Sequence, residues 1–125
     1  MENLIIEKTS STPYIHFDAS TGLLKIQGES FPENAAKFYG PIMMWLNEFL
    51  EQMPEEATLE FEVVYFNSST SKIFMTILDF FEEEYNKGLK VRVNWRCEED
   101  NESAIEFGED FKDSLDELPF EIILI

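Results

Sequence analysis

Hydrophobic and polar positions alternate near the N-terminus in a way that predicts a β-hairpin. Ile15 and Phe17 are separated by one polar residue, as are Leu24 and Ile26, and the intervening segment from Asp18 to Gly22 has the composition of a turn. Strict alternation of this kind is typical of strands that bury one face. The fold is therefore expected to open with two antiparallel strands.

Apolar residues then recur at intervals of three and four, which predicts a helix. Ser30-Phe31-Pro32-Glu33 has the S-x-x-E spacing of a capping box, so the helix is expected to begin there. Gly40-Pro41 interrupts the pattern, because proline lacks a backbone N–H and clashes with the preceding turn. A short turn and then a longer helix to about Gln52 are expected. The apolar positions of this stretch are Phe38, Ile42, Trp45, Leu46 and Phe49.

The segment from Thr58 to Phe66 first alternates and then becomes apolar on both faces, which predicts a strand that enters the interior. A helical stripe follows from Ser69 to about Asn86 and is closed by Lys87-Gly88. Glu82 to Glu84 oppose the helix dipole and are interpreted as a solvated face, with a contact to a basic partner as the alternative. The remaining predicted elements are a strand from Leu89 to Trp95, a helix from Asn101 to Leu115 capped by Asp100, and a strand from Phe120 to Ile125.

The predicted order ββ-α-β-α-β-α-β indicates an α/β fold and a single domain over residues 1–125. Helices between successive strands imply right-handed crossovers and a mixed, mostly parallel sheet, to which the N-terminal hairpin adds an antiparallel edge. In sheets of this type, functional groups collect where strands end and helices begin. That rule directs attention to the residues that follow Phe66.

The charge of the chain excludes several classes of partner. It carries 26 acidic and 9 basic residues, a formal charge of −17. Such a charge repels nucleic acid and anionic membranes and favours encounter with a basic protein. Cys97 is the only cysteine, so no internal disulfide can form, and no export signal or bilayer-spanning apolar segment is visible. A cytoplasmic location, without nucleic-acid binding or membrane insertion, is expected.

Residues with catalytic or metal-binding chemistry are sparse. His16 is the only histidine, so a zinc site, a Ser-His-Asp triad or a Cys-His pair would each depend on it alone. The five glycines form no phosphate-binding loop. The acidic loop at residues 98–102 has oxygen ligands for Mg²⁺ or Ca²⁺ but not the spacing of an EF-hand. No enzymatic activity and no cofactor are expected, and a small metal- or ligand-binding domain using this loop is kept as an alternative.

Four consecutive hydroxyl residues stand where the predicted strand ends and the second helix begins. They are Ser68, Ser69, Thr70 and Ser71, preceded by Asn67 and followed by Lys72. Asn67 or Ser68 can cap the helix, as these residue types commonly do. The helix dipole and the free N–H groups of the first turn equally favour a phosphate there. Local chemistry alone favours a cap, and a cap and a phosphorylation site can coexist.

Three segments in fixed order carry a resemblance to a known family. They are Ser11-Thr12-Pro13, Gly28-Glu29-Ser30-Phe31-Pro32-Glu33-Asn34 and Tyr65-Phe66-Asn67-Ser68-Ser69. Together they resemble the SiaC-type family of regulatory phosphoproteins, over the chain from about Thr9 to Phe120. The likeness includes the strand that ends at Trp95 and the late Pro119-Phe120 pair. This family is similar in fold to STAS domains, the anti-anti-sigma-factor class, with which the predicted order of elements is compatible.

The resemblance implies a partner switch without enzymatic activity. A cognate Ser/Thr kinase would phosphorylate a hydroxyl just after the strand end, and a PP2C-type phosphatase would remove the phosphate. The unphosphorylated form would bind and activate an effector, a diguanylate cyclase of cyclic-di-GMP and biofilm signalling. Aligned on Tyr65 and Asn67, the acceptor falls on Ser68, where the family often has Thr. Ser69, Thr70 and Ser71 are the alternative acceptors.

The partner surface is expected to combine the start of the second helix with the opening turn of the first. The residues expected to contact partners are Asn67, Ser68, Ser69, Lys72, Ser30 and Glu33. Trp45, Phe38 and Phe74 are expected in the core instead. An anti-anti-sigma-type regulator, which binds the kinase itself as an anti-sigma factor, is the alternative output of the same site.

Overall fold

The computed structural model describes residues 1–125 and consists of six strands and three helices. The strands are β1 (Leu4–Ile6), β2 (Tyr14–Phe17), β3 (Leu23–Ser30), β4 (Glu56–Phe66), β5 (Lys90–Cys97) and β6 (Phe120–Leu124). The helices are α1 (Ala35–Glu51), α2 (Ser68–Asn86) and α3 (Glu102–Ser114). None of these helices is both long and apolar enough to cross a membrane.

The six strands form one sheet in the order in which they occur along the chain. β1, β2 and β3 pair antiparallel, whereas β3, β4, β5 and β6 pair parallel. The predicted fold class, a mixed sheet with an antiparallel N-terminal edge, is thereby confirmed. Strand β1 is an addition to the predicted order, because three apolar residues in a row show no alternation, and only their pairing with β2 makes them a strand.

The core lies between the sheet and the helices. All three helices cover one face, because right-handed crossovers that lead to successive neighbouring strands stay on the same side. A single cluster of 27 buried residues fills this layer. Phe74 is fully buried within it as predicted, whereas Trp45 and Phe38 are half-buried at its margin. The opposite face carries polar residues, among them Glu60, which pairs with Lys25 at 3.8 Å.

Helix α1 begins later than the capping-box pattern predicted. Its N-cap is Asn34, whose side chain accepts a hydrogen bond from the backbone N–H of Lys37 at 3.1 Å. Ser30 instead ends strand β3, so the prediction that it caps the helix was wrong. Pairing with β4 extends β3 as far as Ser30, so the chain turns toward α1 only after this residue.

The turn predicted at Gly40-Pro41 was also wrong, because α1 runs through both residues. Proline inside a helix costs about 3 kcal/mol through a lost hydrogen bond and a clash with the preceding turn. The residues on either side of the pair, Tyr39 and Ile42, are buried, while Pro41 faces solvent. Burial of the apolar stripe therefore outweighs the local preference to break the helix.

Helix α2 is closed by Lys87 and by Gly88 at φ 114°, as predicted. Its glutamates are not all a solvated face, because the carboxylate of Glu82 accepts hydrogen bonds from the backbone N–H groups of Glu117 at 2.9 Å and Leu118 at 3.0 Å. Burial raises the pKa of Glu82, but these bonds more than offset it, and the pKa lies below its ordinary value. Glu82 thus joins α2 to the connection between α3 and β6 by hydrogen bonds.

Helix α3 is capped by Asn101 and not by Asp100. The side-chain oxygen of Asn101 accepts a hydrogen bond from the N–H of Ala104 at 3.1 Å, and its amide group donates to the carbonyl of Val64 at 3.1 Å. One side chain therefore caps the helix and joins it to the end of β4, which Asp100 in the preceding turn does not do. This contact sets the acidic loop beside the carboxyl end of the parallel strands.

Candidate phosphorylation and partner-binding site

The hydroxyl cluster lies at the carboxyl end of β4, where α2 begins. Asn67 is the N-cap, with extended backbone and a side-chain oxygen that accepts a hydrogen bond from the N–H of Thr70 at 2.9 Å. Its own N–H donates to the carbonyl of Ser30 at 3.1 Å, which ties the start of α2 to the end of β3. The predicted cap is confirmed, and it belongs to Asn67.

The four hydroxyl residues differ sharply in exposure. Ser68 and Ser69 are exposed, and Ser71 is half-buried. Thr70 is fully buried, because it precedes Phe74 by one helical repeat and lies on the face that packs on the sheet. An enzyme can reach the hydroxyl of Ser68 or Ser69 without disturbing the fold, whereas reaching Thr70 requires the helix start to open.

A chain of three buried hydroxyl groups lies beneath the helix start. The Tyr39 and Ser30 hydroxyl oxygens are 2.7 Å apart, and those of Ser30 and Thr70 are 3.0 Å apart. Thr70 donates its own proton to the backbone carbonyl of Ser30 at 3.1 Å. The Ser30 hydroxyl must then donate to Thr70, and the Tyr39 hydroxyl to Ser30, so that each group donates once.

Burial raises the pKa of Tyr39 far above its ordinary value, an effect that the hydrogen bond to the Ser30 hydroxyl only partly offsets. The phenol therefore stays protonated and remains a donor throughout the range in which proteins work. Ser30 was expected to contact a partner, but it is fully buried and bonded within this chain. Its observed place is structural: it joins β3 to α1 and α2.

The start of α2 can accept a phosphate. The first N–H groups of a helix have no intrahelical acceptor, and here the Asn67 side chain uses only that of Thr70. The N–H groups of Ser68 and Ser69 are left for an incoming anion, which the helix dipole also favours. Lys72, one helical turn further on, is exposed and takes part in no ion pair, so its ammonium group is available as well.

The other predicted candidates lie at different distances from this site. Glu33 is exposed just before α1, in the connection that follows Ser30. The acidic loop at residues 98–102 is largely exposed, and nowhere does the chain bring three or more His, Cys, Asp or Glu side chains together to hold a metal ion. The structure thus gives no support to the metal-binding alternative. Cys97 is buried, which raises the pKa of its thiol.

Sequence reasoning missed an exposed aromatic pair beside the helix start. The rings of Phe31 and Tyr65 meet edge to face, with centroids 5.7 Å apart and an angle of 62° between their planes. Both residues lie inside the segments that carry the family resemblance, but periodicity does not reveal that their rings are exposed. One signal in the sequence could have indicated this exposure. The four consecutive apolar residues Val63-Val64-Tyr65-Phe66 do not fit the alternation of a strand with one buried face, unless a β-bulge interrupts the strand.

Comparison with known proteins agrees with this architecture. A family model for the SiaC family regulatory phosphoprotein matches residues 6–125. An uncharacterised protein of Pseudomonas aeruginosa is 35% identical over 122 residues, which cover 98% of this chain and 96% of the relative.

Solved structures agree with it as well. The crystal structure of apo-SiaC from Pseudomonas aeruginosa has a TM-score of 0.89 and 34% identity, covering 98% of this chain and 99% of that one. A chain in the crystal structure of diguanylate cyclase SiaD in complex with its activator SiaC, also from Pseudomonas aeruginosa, has a TM-score of 0.92 and 34% identity, with the same coverage of both chains. The protein therefore belongs to the SiaC family of regulatory phosphoproteins.

Proposed function

We propose that this protein is a partner switch without enzymatic activity, controlled by phosphorylation of Ser68. A cognate Ser/Thr kinase adds the phosphate, and a PP2C-type phosphatase removes it. The unphosphorylated form binds and activates a diguanylate cyclase, and so controls cyclic-di-GMP signalling in the cytoplasm. Asn67, Ser69, Lys72 and Glu33 belong to the surface that these partners contact.

The observation that carries the proposal is an exposed hydroxyl at the first position of a capped helix, at the carboxyl edge of the parallel strands. The SiaC relative supports the choice of effector, because it is an activator solved in complex with a diguanylate cyclase. Ser68 is preferred over Thr70, which is fully buried, and over Ser71, which is half-buried. Ser69 is also exposed and is the principal competitor.

The physical effect of the phosphate differs between folding and binding. It adds about −1.5 to −2 charges and three strong acceptors. In the free protein, the N–H groups of the first turn and solvent stabilise that charge, so the fold tolerates it. At an interface that covers the helix start, the same charge is desolvated without a new partner. A cost of several kcal/mol, on the order of a hundredfold or more in affinity, follows.

The test compares the variants Ser68→Asp and Ser68→Ala for binding and activation of the diguanylate cyclase from the same organism. We expect Ser68→Ala to bind and activate like the wild type and Ser68→Asp to lose both, with unchanged circular dichroism spectra. Ser103→Asp is the matched control, because Ser103 is an exposed serine in the first turn of α3. Equal binding by Ser68→Asp and Ser68→Ala would contradict the proposal.

A further inference from the structure

A break in the register of the sheet exposes apolar side chains next to Ser68. Strands β3 and β4 are in regular register up to Gly28 and Val63, and then Glu29 pairs with Tyr65. Val64 is the extra residue, and such a bulge re-aims the side chains that follow it. As a result Val64 and Tyr65 are both exposed, by 56% and 55%, while Phe66 returns to the core at 5%. A regular strand would have alternated and buried Tyr65 in place of Phe66.

Phe31 completes this surface from the β3–α1 connection. Its ring packs edge to face on Tyr65 and remains 38% exposed. Its backbone N–H donates to the carbonyl of Ser11 at 2.8 Å, so the connection is held in place. We call the three side chains of Phe31, Val64 and Tyr65 the aromatic rim. Exposed apolar groups that are contiguous and rigidly held mark interaction sites far more often than scattered ones do.

The aromatic rim is continuous with the phosphorylation site. Tyr65 precedes the first residue of α2 by only three positions, and the N–H of Asn67 donates to the carbonyl of Ser30, which precedes Phe31. The two segments that carry the rim are thus joined at the point where Ser68 projects. A partner that covers the aromatic pair also covers the helix start and meets any phosphate placed there.

The charges around the rim define the chemistry of its occupant. Glu29 and Glu33 flank Phe31, and the acidic loop at residues 98–102 lies beside Val64 through the Asn101 hydrogen bond. None of these carboxylates takes part in an ion pair within the protein. Two cations also lie nearby, Lys8 in the same pocket as Val64 and Lys72 beside Ser68, but the carboxylates outnumber them. The surface therefore offers an apolar centre with a mostly negative border, the complement of an apolar side chain flanked by Lys or Arg.

We propose that the aromatic rim is the anchor on which the effector docks, through an apolar side chain flanked by basic residues. This inference rests on the proposed function, since it takes the diguanylate cyclase as the occupant. It explains how one phosphate can act as a switch. The rim supplies the affinity, and Ser68 stands at its border beside the cation Lys72. A partner has no reason to place a basic group there, so an added phosphate is desolvated without a basic partner when the rim is covered.

The test measures the affinity of the unphosphorylated protein for the diguanylate cyclase by titration calorimetry. Truncating a central aromatic anchor typically weakens an interface by about tenfold or more, so Tyr65→Ala and Phe31→Ala should each do so. Met53→Ala is the control, because Met53 is 86% exposed beyond the C-terminus of α1, and it should bind like the wild type. Thermal unfolding of all variants shows whether they are folded. We expect them to be, because Phe31 and Tyr65 are both exposed.

The charge component is tested separately by association kinetics. Glu29→Gln combined with Glu33→Gln should slow association severalfold and reduce its dependence on salt, because charges at the border of an interface act mainly on the encounter rate. Glu48→Gln combined with Glu51→Gln, at the far end of α1, should leave the rate unchanged. If the two double variants changed the association rate equally, the inference that basic residues of the partner face Glu29 and Glu33 would be wrong.

Measuring Ser68→Asp in the same series separates the two proposals. If Tyr65→Ala and Phe31→Ala bind like the wild type while Ser68→Asp does not, the rim is not the anchor and the phosphorylation switch stands. If the rim variants impair phosphorylation by the kinase but not cyclase binding, the rim serves the kinase and the inference is overturned. If the wild type itself does not bind the cyclase, both proposals fail.

Discussion

The buried chain from Tyr39 through Ser30 to Thr70 gives the sharpest prediction for the architecture of the site. Tyr39→Phe removes one hydroxyl and leaves the ring in place. Because Tyr39 is the first donor of the chain, its loss deprives Ser30 of one hydrogen bond at a position that water does not reach. A net hydrogen bond is worth about 0.5–1.5 kcal/mol, and a buried group left unpaired costs about 1–3 kcal/mol. We expect Tyr39→Phe to lower the free energy of unfolding by about 1–1.5 kcal/mol.

Thr70→Val provides the second side of a double-mutant cycle. It replaces the hydroxyl by a methyl group, so the Ser30 carbonyl loses a donor and the Ser30 hydroxyl loses its acceptor. In the double variant the Ser30 hydroxyl has lost both hydroxyl neighbours. Both substitutions therefore act on the same hydrogen-bonded group. Groups in one hydrogen-bond network typically show coupling energies of about 0.5–3 kcal/mol. The two single effects should therefore not add.

The assay is equilibrium unfolding in urea, followed by circular dichroism, on the wild type, both single variants and the double variant. Tyr85→Phe is the matched control, because Tyr85 is half-buried on α2 and its hydroxyl makes no hydrogen bond within the protein. The control should unfold within a few tenths of a kcal/mol of the wild type. A Tyr39→Phe variant as stable as this control, or strict additivity in the cycle, would refute the reasoning.

Three further predictions concern stability. Gly108→Ala places a Cβ 2.5 Å from Cδ1 of Trp95. Although alanine favours helices, this overpacking should lower the free energy of unfolding in urea by about 1–3 kcal/mol and shift the tryptophan fluorescence. Unchanged stability would contradict the prediction. Asn67→Ala should cost about 1 kcal/mol in the same assay, through the lost cap, and an unaltered midpoint would argue against it. Because the pKa of Glu82 is lowered in the folded state, its contribution is present above its ordinary pKa of 4.5 and fades as the pH falls further. Glu82→Gln should thus have a lower free energy of unfolding than the wild type at pH 7, and this difference should shrink below pH 4.5. Glu83→Gln is the control, because Glu83 is exposed, and it should show no such difference.

The place of the hydroxyl cluster in the fold could be predicted from the sequence because it follows from topology. A buried strand followed by a polar cluster and a helical stripe places that cluster at the carboxyl edge of a parallel sheet, whatever the details of packing. The burial of Thr70 was also available, since it lies four positions before Phe74 and shares its helix face. Thr70 was nevertheless kept among the alternative acceptors together with Ser69 and Ser71.

What could not be predicted depends on contacts between distant segments. The bulge at Val64 exists only relative to β3, so the exposure of Tyr65 has no counterpart in local periodicity. Helix α1 continues through Pro41 because buried residues on both sides hold it against the core, a tertiary effect that outweighs the local preference. The cap at Asn101 was displaced by one residue for a similar reason, because Asn101 also reaches the carbonyl of Val64.

The central claim is that Ser68 is the phosphorylated residue. The most direct measurement is to incubate the purified protein with its cognate kinase and ATP and to locate the added phosphate by peptide mass spectrometry. We expect phosphate on Ser68, and none on Thr70, which is buried and hydrogen-bonded. Phosphate on Ser69 or Ser71 instead would contradict the assignment to Ser68, although it would keep a switch at the same helix start. No phosphate on this segment, with a kinase shown to be active, would contradict the claim and leave the start of α2 as a helix cap alone.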